Sequence, residues 1–289
     1  MENINYRINP KENIYFGIRL FLSIIGYFAM LLLILFVFEL PLEKSVGFLF
    51  LLSYVGIFAL FLFFSTGIFV GHIKGNAIRI TKIQFPDIYA ILEKHCYQLG
   101  MDIPASYILE SGGILNAFAT KFLGRNYVVI YSEILELAYE QGQEALEFVI
   151  AHELGHIKRN HKTKRLLLFP SAMVPFLASA YSRACEYTCD NIGKSLSPNG
   201  AMNGLLILAA GKQLYKKVNP EEYINNERYE ISFWKWFAEK TSSHPHLPKR
   251  LDNVGISKPI IKPIIPKETE KELSNQENEG EDYSRFMPR

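Results

Sequence analysis

Two stretches of this chain run without a charged residue for as long as a membrane is thick. "LFLSIIGYFAMLLLILFVF", Leu20 to Phe38, is bracketed by Arg19 and Glu39, and a second uncharged run extends from Ser45 to Gly71. Hydrocarbon offers no partner to a peptide group, so such runs become helices that satisfy their own backbone. A helix rises about 1.5 Å per residue, and about 20 residues cross a hydrocarbon layer of about 30 Å. The runs predict transmembrane helices at about 18–38 and 46–71, joined as a hairpin within an N-terminal membrane region of residues 1–78. A cleavable leader does not fit the first run, which is long for a signal peptide and is followed at once by another span.

A hairpin leaves both of its ends on one side of the bilayer. Arg7, Lys11 and Arg19 precede the first span and Lys74, Arg79 and Lys82 follow the second, whereas the loop between them holds Lys44 beside Glu39 and Glu43. The positive-inside bias therefore predicts a two-pass protein of a bacterial-type cell membrane, with both ends and the large C-terminal part on the cytoplasmic side. Three cysteines, Cys96, Cys185 and Cys189, form neither an even set nor a zinc-finger spacing, and read as reduced core residues. A net charge of +2 without a basic stripe gives no basis for a nucleic-acid partner. Transport sites need polar groups at depth, and the two runs carry no intramembrane charge, which argues against a transporter.

The soluble part is placed at residues 79–257. "FPDIYAILEKHCYQLG" has the apolar spacing of a helix that starts near Pro86 and stops at Gly100. "PASYILE", "ILNAFAT" and "NYVVIYS" are short, β-rich and separated by glycine-containing turns, and predict three strands of a small sheet. A helix with Ser132 as its N-cap ends near Gly142, and a further helix is expected over roughly Gln143 to Asn160. "AMNGLLILAAGKQLY" reads as a core helix, and "ISFWKWFAEK" as another with Trp234 and Trp236 on its apolar side or at the membrane interface. The Pro-rich, then charged, residues 258–289 cannot bury enough to fold and are expected to be a disordered tail. The expected class is α+β, mostly helical with a small sheet, preceded by the transmembrane hairpin.

The chemistry concentrates in "VIAHELGHIKRNH", Val149 to His161. On a helix, residues four apart lie about 40° apart around the axis, so His152 and His156 can present two imidazoles to one ion. Glu153 projects beside them, where a carboxylate can take a proton from a water polarised by zinc. Such a site needs a third protein ligand and an open position. Arg159 and Lys162 stand where one zincin subclass requires glycine and histidine. His161 falls about 140° around the helix from His156 and is read as structural. In "SRACEYTCD", Glu186 could be the third ligand and Asp190, one turn on, could orient a ligand histidine; by spacing alone they could equally be two exposed helix carboxylates.

Four segments in order, "NAFAT" at Asn116, "HELGH" at His152, "SRACEYTCD" at Ser182 and "SSHPHLPKR" at Ser242, give the chain its resemblance to the HtpX-like and type I CAAX prenyl protease group of integral-membrane zinc endopeptidases. The resemblance covers most of residues 80–255 and implies a zincin-like metalloprotease domain. It implies one zinc ion per chain held by His152, His156 and Glu186, with Glu153 as general base and Asp190 as partner of a ligand histidine. It implies a strand around Asn116, Ala117 and Phe118 that pairs with an extended polypeptide substrate, an edge being suited to that task because its backbone groups are unpaired. By the same resemblance His244 would stabilise the developing oxyanion, Arg250 would hold its segment by pairing with a carboxylate, and Arg183 would do similar supporting work; a surface His244 without a role is the competing reading. The implied activity is cleavage of membrane or misfolded proteins, with a catalytically silent, membrane-tethered peptide-binding module as the alternative.

One departure stands out. HtpX-like members place two further spans between the histidine motif and the glutamate, whereas only 29 residues separate His156 from Glu186 here. The apolar part, Leu166 to Tyr181, contains Pro170 and Pro175 and is expected to be a buried or interfacial segment, with the charge run Lys158 to Arg165 before it as a solvated helix end. A cleft open to the cytoplasm just above the bilayer, rather than a chamber enclosed by membrane helices, is the resulting expectation.

Overall fold

The computed structural model describes residues 4–110, 112–113, 116–230 and 232–255, apart from the side chains of residues 42–44 and 141; the expected tail at 258–289 lies outside the described residues. Two long helices come first, α1 at Pro10–Glu39 and α2 at Leu42–Asn76. Asn9 caps α1 by accepting from the Lys11 N–H, and Pro10 sits in the first turn, where its missing N–H costs nothing. Both helices leave most of their Phe, Leu and Ile side chains uncovered over lengths sufficient to cross a bilayer. Water does not tolerate apolar surface on that scale and lipid does, so the chain is a membrane protein.

The rest is a helical body around a small mixed sheet. Strands β1 (Ile78–Arg79), β2 (Ala105–Leu109), β3 (Ala117–Phe122) and β4 (Arg125–Tyr131) lie in the order β1-β2-β4-β3. β4 pairs parallel with β2 and antiparallel with β3, Phe118 opposite Val129, so β3 is an edge. The two-residue β1 has too little pattern to be read from sequence; it pairs antiparallel with β2 and starts the sheet directly below α2. Helix α3 (Pro86–Leu99) ends at Gly100, whose φ of +59° is cheap only for glycine. Helix α4 (Ser132–Gln141) begins at Ser132 itself with Tyr131 in the capping place, so the expected Ser132 cap is not formed.

Helix α5 (Glu144–Lys158) runs through the middle, packed against α7 (Leu177–Leu196) and α8 (Gly200–Leu214). Ile88, Leu92, Val128, Ile130, Ile150, Leu154, Ile192 and Leu205 form the closed core between these helices and the sheet. α5 does not continue to Asn160 as expected. Asn160 turns left-handed at φ 53°, and the short α6 (His161–Leu167) starts in a new direction. Three helices, α9 (Pro220–Tyr229), α10 (Phe233–Thr241) and α11 (Leu247–Asn253), complete the body.

Between α6 and α7 the apolar segment forms one tight turn at Pro170–Met173 against α1. Pro170 abuts Gly26, Tyr27 donates to the Leu167 carbonyl, and Arg19 donates to Ser171 Oγ and the Leu168 carbonyl, each at 2.9 Å. Phe169 and Met173 stay uncovered, at 68% and 89% exposure, in line with α1's own apolar flank.

Candidate metal centre

Helix α5 puts His152, Glu153 and His156 on its face toward α7 and β3, and all three line one cleft of about 510 Å³. α7 brings Glu186 to them because the two helices approach closely. Gly155 sits where an added Cβ would be 3.3 Å from Cys189 Sγ, and at Gly193 it would be 2.7 Å from the Phe148 ring. Small residues at this crossing set the helix separation, and larger ones would push Glu186 out of reach.

The result is a triangle of donors. His152 Nε2 lies 3.3 Å from His156 Nε2 and 3.4 Å from Glu186 Oε2, and His156 Nε2 lies 3.4 Å from Glu186 Oε1. A tetrahedral zinc with bonds of about 2.0–2.1 Å has donor–donor edges of roughly 3.3–3.4 Å, so two nitrogens and a carboxylate at these spacings fit that ion. Glu186 and His152 are buried and His156 is half-buried, and the three form a set in which one ligand atom from each could hold a metal. The other ring nitrogen of His152 donates to Asp190 Oδ1 at 2.9 Å, which leaves Nε2 free for a cation.

Asp190 is fully buried, and Arg250 of α11 grips it with two hydrogen bonds, Nε to Oδ2 at 2.8 Å and Nη2 to Oδ1 at 2.7 Å. Burial works against its charge, but the guanidinium and His152 outweigh that and hold Asp190 below the ordinary carboxylate range. In the metal-free site, burial also opposes an imidazolium at His152, yet its hydrogen bonds to Asp190 and Glu186 take it up to about 10. Glu153 goes the other way: burial lifts its carboxyl above the usual range, against the pull of the His156 and His152 rings. A carboxylate raised in this manner is a better proton acceptor near neutral pH.

The remaining sequence candidates fall around the same cleft. Asn116, just ahead of the edge strand β3, and Ala117 and Phe118 on it line the cleft. The Phe118 ring itself turns to the opposite face, 5.8 Å from Phe69 of α2 and 6.0 Å from Tyr131. His244 stands at the mouth, its side chain 63% exposed and its Nε2 3.7 Å from Glu186 Oε1, with Ser243 Oγ 2.9 Å from its Nδ1. Arg183 supports the segment of His244 through backbone carbonyls. Its Nη1 donates to the carbonyls of Glu239, Lys240 and Ser242 at 2.7, 3.0 and 2.8 Å, tying down the segment that carries His244 rather than pairing with a carboxylate of the site.

Three residues of the site have no counterpart among the sequence candidates. Because α5 ends at Lys158 and Asn160 turns left-handed, His161 swings back and sets its Nδ1 3.0 Å from His156 Nδ1. Its Nε2 faces Glu12 Oε1 at 3.3 Å, and Arg159 donates to the same oxygen from Nε at 3.1 Å and Nη2 at 2.9 Å. Burial holds His161 down near 4, so the ring is neutral. The expected solvated charge run from Lys158 is thus partly internal, with His161 only 2% exposed. A continuous-helix reading hides this contact, since only the left-handed Asn160 creates it.

Known proteins resemble this chain over the same region. Over residues 82–255 the chain matches the family model described as Peptidase family M48. It is 36% identical over 126 residues to a protease HtpX homolog of Bacteroides fragilis, covering 42% of this chain and 37% of that protein. It is 32% identical over 139 residues to a protease HtpX homolog of Streptococcus mutans, covering 44% of this chain and 45% of that protein. It is 23% identical over 173 residues to the plastoglobule-localized metallopeptidase 48 of Arabidopsis thaliana, covering 53% of this chain and 49% of that protein. The matches therefore span half or less of these relatives. A crystal structure of S. mikatae Ste24p is similar at a TM-score of 0.41 and 16% identity, over 86% of this chain and 67% of that one. With more than half of its length, including the whole donor triangle, inside the family model, the chain belongs to peptidase family M48.

Proposed function

We propose that the protein is a membrane-anchored, zinc-dependent endopeptidase, with one zinc ion held by His152, His156 and Glu186. The observation that carries this reading is the donor triangle with edges of 3.3–3.4 Å, set beside Glu153 in a cleft bordered by an edge strand. Zinc in such a site polarises a carbonyl and lowers the pKa of water. Glu153 takes the proton that a water gives up on attacking the peptide carbon and later passes it to the leaving amine. His244, at the cleft mouth, donates to the oxygen that becomes negative. Asp190 keeps the His152 proton on Nδ1, Arg250 keeps Asp190 charged and in place, and Arg183 secures the His244 segment.

The substrate is an extended polypeptide from a membrane or misfolded protein. β3 pairs with β4 on one side only among the described residues, so its other side offers backbone donors and acceptors near Asn116 and Ala117. The names of the relatives as proteases and a metallopeptidase support hydrolysis. In this reading α1 and α2 form a two-pass anchor with the body on the cytoplasmic side, which the lysine and arginine bias supports.

Cleavage of an unfolded, quenched-fluorescent protein by the detergent-solubilised chain tests this. Turnover that needs zinc, stops with chelator and is lost in Glu153→Gln is expected. Stoichiometric zinc without turnover on any unfolded substrate would leave a peptide-binding module in its place.

A further inference from the structure

The two histidines of the triangle have their second ring nitrogens served in different ways. His152 meets a carboxylate directly, whereas His156 meets another imidazole, His161, which in turn meets Glu12 in the first turn of α1. We propose that His161 and Glu12 are positioning residues for His156, a relay through which the membrane-anchored helix α1 fixes the proton and the ring of a metal ligand. The proposal rests on the zinc reading given above.

The hydrogen count allows one assignment along this line. A His156 that offers Nε2 to a cation carries its proton on Nδ1. That N–H points at His161 Nδ1, 3.0 Å away, which accepts only if the His161 proton sits on Nε2. The Nε2–H then faces Glu12 Oε1 at 3.3 Å, and a carboxylate accepts it. Arg159 completes the line by holding Glu12 ionised with two N–H groups. Every adjacent pair is one donor and one acceptor. Cys189 Sγ lies 3.7 Å from the same His161 Nδ1 and packs the ring from the α7 side. Glu12, His161 and Cys185 also present ligand atoms within 4.8 Å of one another, but the Arg159 guanidinium already lies against Glu12 and repels a second cation there.

Glu12 is 1% exposed although it belongs to the helix that continues into the apolar run beyond Arg19. A carboxylate is rarely enclosed without a partner that needs it. Here the partners include Arg159 and His161, separated from it by 147 and 149 residues in the chain, and the Thr188 side chain.

Zinc affinity of the full-length, detergent-solubilised protein, read by competition with a chromophoric chelator, tests the relay. His161→Phe is expected to weaken zinc binding about 10- to 100-fold, the range seen when a partner of a ligand histidine is lost. It should also shift the d–d spectrum of the cobalt-substituted protein and lower kcat with little change in KM. Glu12→Gln keeps the shape and one acceptor, and should weaken zinc about 3- to 10-fold. In the double variant the loss should not exceed that of His161→Phe alone, because both act through one line. Affinities within about twofold of wild type and an unchanged cobalt spectrum would overturn the relay, as would strictly additive losses. If His161→Phe does not fold, Glu12→Gln decides alone by affinity and spectrum. A wild-type protein that binds no zinc would overturn the zinc reading and the relay with it; wild-type binding matched by the variants overturns the relay only.

Discussion

The two sides of the donor triangle are built on the same plan from different parts of the chain. On one side Arg250 holds Asp190, and Asp190 meets His152. On the other, Arg159 holds Glu12, and Glu12 reaches His156 through His161. The first side lies wholly in the helical body, on α5, α7 and α11. The second borrows its carboxylate from α1. The first is also shorter and its guanidinium is more deeply enclosed, with the Arg250 side chain 7% exposed against 19% for Arg159. The difference teaches that a soluble fragment of the body would keep one support of the metal and lose the other.

The largest effect should come from breaking what both sides share. Glu186→Ala removes a corner of the triangle, and zinc content is expected to fall from one per chain to near none with activity down beyond about a thousandfold. Full metal content in that variant, measured by atomic emission, would exclude Glu186 as a ligand. Next comes the inner side. Asp190→Asn should weaken zinc about 10- to 100-fold, and by leaving Arg250 buried without its counter-charge should destabilise the metal-free protein by roughly 3–5 kcal/mol. Denaturant titration of the metal-free form checks the second part.

Proton competition separates the sides further. In the metal-free protein the His152 pKa is raised to about 10, so a proton must leave before zinc enters. Zinc affinity should therefore climb about tenfold per pH unit as pH rises toward about 10 and level off above it. Because the folded value lies above the unfolded one, His152 protonation stabilises the metal-free fold fully below the unfolded pKa and ceases to as pH rises through about 10. Without the Asp190 charge the climb should end at a lower pH; an identical profile in Asp190→Asn would remove Asp190 as the cause. The smallest effect concerns how α11 is held. Glu227 of α9 binds Lys235, His246 and Lys249, and although burial opposes its charge these partners hold it below the usual range. Its stabilisation is present above the unfolded carboxylate pKa and is lost as pH falls through the lower folded value. Glu227→Gln should cost up to about 1 kcal/mol at pH 7 and little near pH 2, by thermal melts, with the Arg250 side loosened and the Glu12 side untouched.

Much of this was legible in the chain itself, for reasons that also explain what was not. Spans announce themselves because lipid forbids charge over a fixed length, and Pro86 and Gly100 bound α3 because each has one backbone preference. His152, Glu153 and His156 share a helix face by period alone. Glu186 and Asp190 could be paired with them only through the resemblance, since spacing along α7 does not say which helix it crosses. His161 illustrates the limit most clearly. A regular helix carries it away from His156, and only the left-handed Asn160 returns it. Glu12 was beyond any local pattern, since its partner lies 149 residues on. Arg183 could be given only a supporting role from the resemblance, since no local pattern says that its partners are three carbonyls at the end of α10.

The edge strand has a neighbour that gives its position a further meaning. Phe118 of β3 meets Phe69 of α2, and four residues on Phe122 meets Phe63 and presses against Gly67. Along the strand, then, the contacts slide down α2 away from its Lys74 end and into its uncharged stretch. A polypeptide laid against β3 would follow the same incline. Under the proposed peptidase reading it keeps one end among the acyl chains while the other reaches the donor triangle, and such a substrate is cut without prior extraction. The bilayer would then act as a ruler, and scissile bonds would cluster at a fixed count of residues from the point where a substrate leaves the lipid.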